Sequence, residues 1–562
     1  MRRISLRLWS LAILSGVLQI LPFPIAGPMP PWRGAICWFA LAPLVAALVS
    51  KDESGNSVGV RYAALLGYLS GFIWYLGNCY WIFRTMHYYG GIPQIPSAGI
   101  LVLFCLYLGL YHALFGALFS IARGSSLGRN GALIVSPFLW VAVELARSRV
   151  TGFPWDLLGT AQVDNLFLTR LAPATGVYGI SFVIAAVNAL WFVRIKIRQR
   201  RHTRTLLFAA AVAILAAYLG FLRRVVVPVD EGREAVATLV QQNLGVGAQS
   251  LSIGPQLSGE QKLRQFSQLS LFPSMSYCTG IPELRSTTCI HASSATPGKD
   301  FTDPAATSLI VWPEAPNDFF ERDPSFRGAL TSLAQTAHAP MIAGDIGVDA
   351  DRTSPSGYLL YNSAEFIGAD GSVAGRYDKM HLVPFGEYTP YKKLFFFAGS
   401  LLQDVGTFEP GESRKAFQSG GHIYGTFICY ESVFPDEVRR FVNLGADVLV
   451  NISDDGWYGN TSAAWEHLNM VRMRAIENHR WVLRATNTGV TAAIDPYGRV
   501  VKAALRNQRT SLRVGFDYEH DITFYAAHGD WFAYLCSVVT VITLGFALAR
   551  KTPKRAVAEI TN

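Results

Sequence analysis

Long apolar runs, separated by short charged or turn-forming stretches, fill the N-terminal part of the chain, and one more lies near its end. They fall at Leu8–Ile25, Ala35–Ser50, Tyr62–Phe83, Ser97–Ala122, Ala132–Ala146, Gly176–Val193, Thr205–Leu222 and Trp531–Ala549. A helix that crosses a bilayer needs about 20 residues, so this pattern predicts about eight spans, with the second and fifth runs on the short side. Arg2, Arg3 and Arg7 precede the first run as they would in a signal peptide. Further spans follow at once and no small-x-small cleavage site is present, so an uncleaved helix is expected.

Between residues 233 and 523 the pattern changes to short β-rich runs alternating with helical ones. Ala235–Val240, Ser308–Trp312, Met341–Ala343, Leu359–Ile367, Ile423–Tyr430, Val448–Ile452 and Val482–Ala485 read as strands, and Phe326–His338 and Ala463–His479 as helices. Asp370-Gly371 and Asp495–Gly498 are turn signals, and Thr279–Thr302 reads as a loop insertion. Such alternation implies a layered α/β domain with helices over a sheet. The expected division is a helical membrane domain over 1–230 with about seven spans, an α/β domain over 231–525, and a last span with its tail over 526–562.

Composition fits that division. Of 562 residues, 51% are hydrophobic and 16% charged, which argues against disorder and against a purely soluble protein. The net charge of +9 raises the question of nucleic acid, but Lys and Arg flank the apolar runs and no nucleic-acid motif accompanies them. Their distribution instead gives an orientation. Lys51, Arg61, Arg123, Arg129, the Arg194–Arg204 cluster and Arg550–Arg555 share one side with the N-terminus if eight helices cross. Positively charged loops stay in the cytoplasm, so Arg233 to Asp530 is expected outside, which in a two-membrane bacterium means the periplasm. Arg147, Arg149, Arg223 and Arg224 fall on the opposite side. Of seven cysteines, Cys37, Cys79, Cys105 and Cys536 lie within apolar runs, and Cys278 and Cys289 are close enough in sequence for a disulfide in an oxidising compartment. No His/Cys spacing suggests a metal, and no cofactor is expected.

Three stretches carry candidate chemistry. SLIVWPEAP delivers Glu314 at the end of a strand, RYDKMHLVPFGEYTP holds Lys379 and Glu387, and YGTFICYES ends an apolar strand on Cys429. Active sites of α/β sheets gather beyond the carboxyl ends of strands. Each residue alone is ordinary, but together they supply the three roles of acyl transfer. A thiol becomes a nucleophile on losing its proton, a desolvated carboxylate can take that proton, and a fixed ammonium can stabilise an oxyanion. No G-x-S-x-G follows a strand, so serine-triad chemistry lacks support.

The order Glu314 in WPE, Lys379 in KMHLVPFGEY and Cys429 in CYE resembles the Glu–Lys–Cys triad of the nitrilase superfamily. NISDDGWYG at 451–459, RAIEN at 474–478 and RATNTG at 484–489 are similar to its downstream blocks. Several spans before the domain, one after it, the HLVPFGEY and CYE wording and TGFPW at 151–155 resemble the apolipoprotein N-acyltransferase family. The resemblance implies an αββα sandwich on the membrane and a two-step reaction. Cys429 would take an acyl chain from the sn-1 ester of a phospholipid as a thioester. The α-amino group of a diacylated apolipoprotein would then receive it as an amide. The resemblance further implies that Glu314 is the base and Lys379 the oxyanion support, with Glu387, Tyr388, Tyr430, Glu431 and Asn362 at the substrate pocket of a monomer in the bacterial inner membrane. The chain departs from the family in lacking a Trp shortly after Asn243 and in the Cys278/Cys289 insertion.

Tyr391–Leu402 carries Phe395, Phe396 and Phe397 in a row behind Lys392 and Lys393, a candidate lipid-entry lid. Glu144 beside Arg147 reads as a structural pair, and His467, Arg472 and His479 as packing or helix-face groups. Two other readings are a membrane-anchored amidase, in which water replaces the amine, and a non-catalytic transporter or receptor. The latter calls for paired polar residues deep in the spans.

Overall fold

The computed structural model describes residues 5–53, 55–193, 233–247, 257–273, 276–284, 287–290, 307–314, 319–354, 356–388 and 408–549. The apolar runs form helices α1 (Leu6–Ile20), α2 (Ala42–Val49), α3 (Val60–Asn78), α4 (Gln94–Gly124), α5 (Gly128–Ala146) and α6 (Val177–Leu190), and a last helix over Trp531–Ala549. Among the described residues, four helical segments are long and apolar enough to cross a membrane: Pro31–Val49, Gln94–Gly124, Gly128–Thr151 and Trp531–Ala549. The first and sixth expected spans are shorter apolar helices. The seventh, Thr205–Leu222, lies outside the described residues. The two runs that looked short gain length from segments the hydropathy pattern missed. A tight turn over Pro31–Ile36 extends one, and Gly128–Asn130 and a wide turn over Arg147–Thr151 extend the other.

These helices bury polar groups and expose apolar ones, the reverse of a water-soluble bundle. Leu103, Leu110, Ile134, Val538, Val541 and Phe546 stand outward. Inside, Gln19 donates to Ser70 Oγ at 3.1 Å and lies 3.1 Å from His112 Nε2. Where no water competes, polar side chains settle against one another between helices. The same packing draws α3 and α4 together, because a Cβ on Gly67 or Gly116 would run into the carbonyl of His112 or Ala63.

Among the described residues the α/β part has fourteen strands: β1 (Ala235–Gln241), β2 (Tyr277–Thr279), β3 (Thr288–Ile290), β4 (Leu309–Val311), β5 (Met341–Ala350), β6 (Tyr358–Ile367), β7 (Val373–Asp378), β8 (Ala416–Ser419), β9 (His422–Ile428), β10 (Val448–Ser453), β11 (Val482–Thr486), β12 (Ala492–Ile494), β13 (Val500–Ala503) and β14 (Thr510–Phe516). A six-stranded sheet has the order β14-β1-β4-β5-β6-β7, and an eight-stranded one β3-β2-β13-β12-β11-β10-β9-β8. Parallel centres (β1, β4, β5 and β9, β10, β11) are flanked by antiparallel edges. Their runs are apolar at nearly every position because both faces are covered.

One core fills the space between the sheets, with Leu239, Val311, Phe366, Phe427 and Val450 among its members. Helices α7 (Gly259–Leu271) and α8 (Pro324–Ala337) cover the outer face of the first sheet through Phe266, Phe326 and Leu330. Helices α9 (Pro435–Asn443) and α10 (Ala463–Asn478) cover the second through Phe441, Trp465 and Leu468. Layers therefore run helix, sheet, sheet, helix. Part of the expected loop insertion over Thr279–Thr302 is instead a β-hairpin, in which Cys278 and Cys289 stand opposite each other and are joined as a disulfide.

All sixteen residues of α10 are buried, because its second face meets the membrane helices. Met470, Met473 and Ile476 belong to the same core as Leu66, Phe115 and Trp140. Arg147 and Arg149, on the unexpected side by loop charge, both find partners here, the first buried and the second exposed. The Arg147 guanidinium lies over the rings of Trp74 and Tyr75, while Arg149 pairs with Asp530 at 2.6 Å. Glu144 accepts from the Leu158 N–H at 2.8 Å, a structural role.

Candidate active site

Three strand ends place three functional groups at one edge of the sandwich. Glu314 follows β4, Lys379 follows β7, and Cys429 follows β9. All are buried, at 7%, 1% and 6% exposure. Lys379 Nζ donates to Glu314 Oε1 at 3.0 Å and to Glu387 Oε1 at 2.9 Å. Asn362, on β6 in the same sheet, donates to the same two oxygens at 2.7 and 2.5 Å. One ammonium and one amide thus hold two carboxylates side by side. Glu314 Oε2 takes the Asp454 N–H at 2.7 Å, and Glu387 Oε2 takes the Val383 N–H at 2.7 Å.

The charges follow from this wiring. Burial alone would raise the Glu314 pKa, but Lys379, Asn362 and the Asp454 N–H hold it below its ordinary value. Burial opposes the charge on Lys379, yet Glu314, Glu387 and Cys429 push its pKa well up. Burial pushes the Cys429 thiol well up, the Glu314 charge adds to this, and Lys379 opposes it. At neutral pH the site therefore holds a carboxylate, an ammonium and an uncharged thiol. Asp454 is pushed up to about 8 by burial and then by Glu314, so its carboxyl is mostly protonated at neutral pH and adds little negative charge beside Glu314.

The residues expected at the substrate pocket divide by what they touch. Asn362 and Glu387 belong to the Lys379 cluster. Glu431 is 2% exposed; its Oε1 accepts from Tyr377 OH and the Met380 N–H, both at 2.7 Å, and its Oε2 from the Ile428 N–H at 2.8 Å. It braces the strand that leads into Cys429 against the segment that carries Lys379. Tyr430 packs edge-on against Phe434 and donates to the Gly152 carbonyl at 2.8 Å, reaching into the TGFPW stretch of the membrane part. Tyr388 closes a turn in which the Phe385 N–H donates to its carbonyl at 2.8 Å. The proposed lid over Tyr391–Leu402 lies outside the described residues.

Sequence reasoning missed Asp454, whose main-chain N–H fixes Glu314, and assigned no role to Trp155, whose indole N–H donates to Glu466 at 2.6 Å. Gly247, where the family's Trp is lacking nearby, lies so close to the Trp457 ring and the Tyr89 carbonyl that a side chain there would collide with both. Among the described residues, His479, Glu519 and Asp521 bring donor atoms within 4.8 Å of one another. His479 Nδ1 lies 2.9 Å from Asp521, which Arg480 also contacts at 3.4 Å, so this is an ion-pair group.

A family model described as the apolipoprotein N-acyltransferase N-terminal domain matches residues 15–190, and one described as carbon-nitrogen hydrolase matches residues 283–517. The apolipoprotein N-acyltransferase of Geobacter metallireducens is 34% identical over 549 residues, covering 96% of this chain and 95% of its own. That of Methylococcus capsulatus is 32% identical over 547 residues, covering 96% of each chain.

Proposed function

The chain belongs to the apolipoprotein N-acyltransferase family, and from that premise we propose that Cys429, Glu314 and Lys379 transfer a fatty acyl group from phospholipid to the N-terminus of a diacylated lipoprotein. The observation that carries this reading is the buried Lys379–Glu314–Glu387–Asn362 cluster at the strand ends, whose charges act on Cys429.

In the first half-reaction the thiol proton passes to the Glu314 carboxylate as sulfur attacks the sn-1 ester carbonyl. A resting thiol with a raised pKa makes that transfer part of the attack, and the base is already ionised. The Lys379 ammonium, held in place by two carboxylates, meets the oxyanion without reorganising. Collapse breaks the ester C–O bond, and the departing lysophospholipid oxygen takes the proton from Glu314. In the second half-reaction the α-amino group of the diacylglyceryl-cysteine attacks the thioester. The amide forms as the thioester C–S bond breaks, and the proton lost by the amine passes by way of Glu314 to the departing sulfur.

The catalytic part faces the periplasm, and about eight helices cross the inner membrane, divided at about residues 230 and 525. Support comes from four apolar helical segments of spanning length and from the burial of α10 against the membrane helices. The chain acts as a monomer. Purified full-length protein in phospholipid vesicles should gain one acyl mass on Cys429 and pass it to a synthetic diacylated lipopeptide. Cys429→Ala should show neither step. Normal conversion by that variant refutes the assignment, and rapid release of free fatty acid without the peptide would make the protein a hydrolase.

A further inference from the structure

We infer that His467 is a positioning residue for the nucleophile, bonded to the main chain of Cys429 and held by Asp455 and Arg484. This rests on the reading of Cys429 as the nucleophile.

Cys429 has φ of +47°, a left-handed conformation disfavoured for any residue with a Cβ. It ends β9, just where the chain turns into the short helix Cys429–Val433, so something must fix its peptide. His467 Nε2, from α10, lies 3.1 Å from the Cys429 carbonyl oxygen and 2.5 Å from Ser432 Oγ. A carbonyl only accepts, so the Cys429 oxygen is bonded when Nε2 carries a proton. The other side of the ring is tied down as well. Nδ1 lies 2.9 Å from Asp455 Oδ1, and Asp455 Oδ2 accepts from Arg484 Nη2 at 2.6 Å. Ser453 donates to Asp455 Oδ1 at 2.8 Å and also reaches the Cys429 thiol. One carboxylate thereby orders the group beside the sulfur and the ring that holds the sulfur's own backbone.

His467, Asp455, Arg484, Ser432 and Ser453 all have 0% exposure. No substrate atom reaches the ring, so it acts through Cys429. The sequence Ser432–His467–Asp455 has the order of a serine hydrolase relay, but a fully buried hydroxyl inside the fold is not a second nucleophile. Trp155 of the membrane part stacks on the His467 ring, with centroids 5.8 Å apart and planes 20° from parallel. The brace therefore spans both halves of the molecule.

The test compares full-length His467→Ala and His467→Gln in phospholipid vesicles, reading Cys429 acylation by mass spectrometry against phospholipid concentration, together with the thermal midpoint. His467→Ala should acylate at least about tenfold more slowly at saturating phospholipid, with half-saturation within about twofold. His467→Gln, whose amide N–H can reach the same carbonyl, should recover most of the rate. A wild-type rate in His467→Ala overturns the inference, as does equal loss in both variants with a lowered midpoint, which would mark bulk packing. If His467→Ala does not fold, His467→Leu decides. It fills the ring's space without offering a donor to the Cys429 carbonyl and should slow acylation without moving half-saturation, and a wild-type rate there also overturns the inference. Cys429→Ala runs alongside: activity in that variant sinks the assignment of the nucleophile, whereas an inactive Cys429→Ala with a normal His467→Ala sinks only the positioning role.

Discussion

Asn362 stands between two carboxylates that only one ammonium neutralises, and its amide is what lets Glu314 and Glu387 sit together. Asn362→Asp would put a third carboxylate there. Like charges raise one another's pKa, so less Glu314 would be ionised and Lys379 would be shared three ways. Acylation of Cys429 should fall by about tenfold to a hundredfold at neutral pH, measured by single-turnover mass spectrometry. A different acid gives a pH signature away from the site. Glu365, on β6, is pushed up to about 7 by burial, with Arg327 opposing and Glu321 adding. Its folded pKa lies above the unfolded one, so the folded state holds the extra proton and stability declines as pH rises from about 4 to about 7. Glu365→Gln should remove that part of the decline, seen as a flatter thermal midpoint between pH 5 and pH 8. The placement of Glu314, Lys379 and Cys429 just beyond strand ends was legible at this scale because each sits in a distinctive sequence block. His467 was not, since nothing in AWEHLNM marks one histidine as the partner of a carbonyl far away in sequence.

Helix α10 shows why element type was easier to read than element environment. Its sequence carries Glu466, His467, Asn469, Arg472, Arg474 and Glu477, which suggests a solvated face, yet every one is buried. Partners on two sides explain this: Arg472 pairs with Asp164 at 2.5 Å, and Glu477 accepts from the Val177 N–H at 2.8 Å. Buried polar groups persist when each is bonded, and hydropathy alone does not reveal the bond. Trp155→Phe keeps the ring on His467 but leaves Glu466 without its donor, so it should lower the thermal midpoint by several degrees while acyl-enzyme still forms. Gly116 makes the opposite point, since a small residue in a long apolar helix looks replaceable. Its Cβ position is filled by the Ala63 carbonyl, so Gly116→Leu must push α3 and α4 apart. Overpacking of this kind costs about 1–3 kcal/mol or more, and the yield of monodisperse protein in detergent should drop. Strands β2 and β3 escaped sequence reading because three-residue pairs leave too little alternation to detect.

At the scale of the whole molecule the charges that disobeyed loop-side bias become informative. The bias acts through Lys and Arg in short loops, and a guanidinium that folds into the interior carries less weight once the helices have packed. Arg147 is 2% exposed against Trp74 and Tyr75, and Arg149 is tied to Asp530 at 2.6 Å and lies 3.7 Å from Asp436. Arg149 thus ties the membrane helices to Asp436 of the α/β part, whereas Arg147 packs among the membrane helices themselves. The proposed orientation rests on the Arg194–Arg204 cluster and the C-terminal Arg550–Arg555 group. A phosphatase reporter that works only outside the cytoplasm should be active when fused after Leu222 and silent when fused after Arg201. The same fusions carrying Arg149→Gln should keep that pattern, because Arg149 holds the two halves together and does not set their sidedness. An inverted pattern in the unmutated fusions would place Cys429 in the cytoplasm, away from lipoproteins exported across the membrane, and the proposed acceptor would have to be abandoned even with the triad chemistry intact.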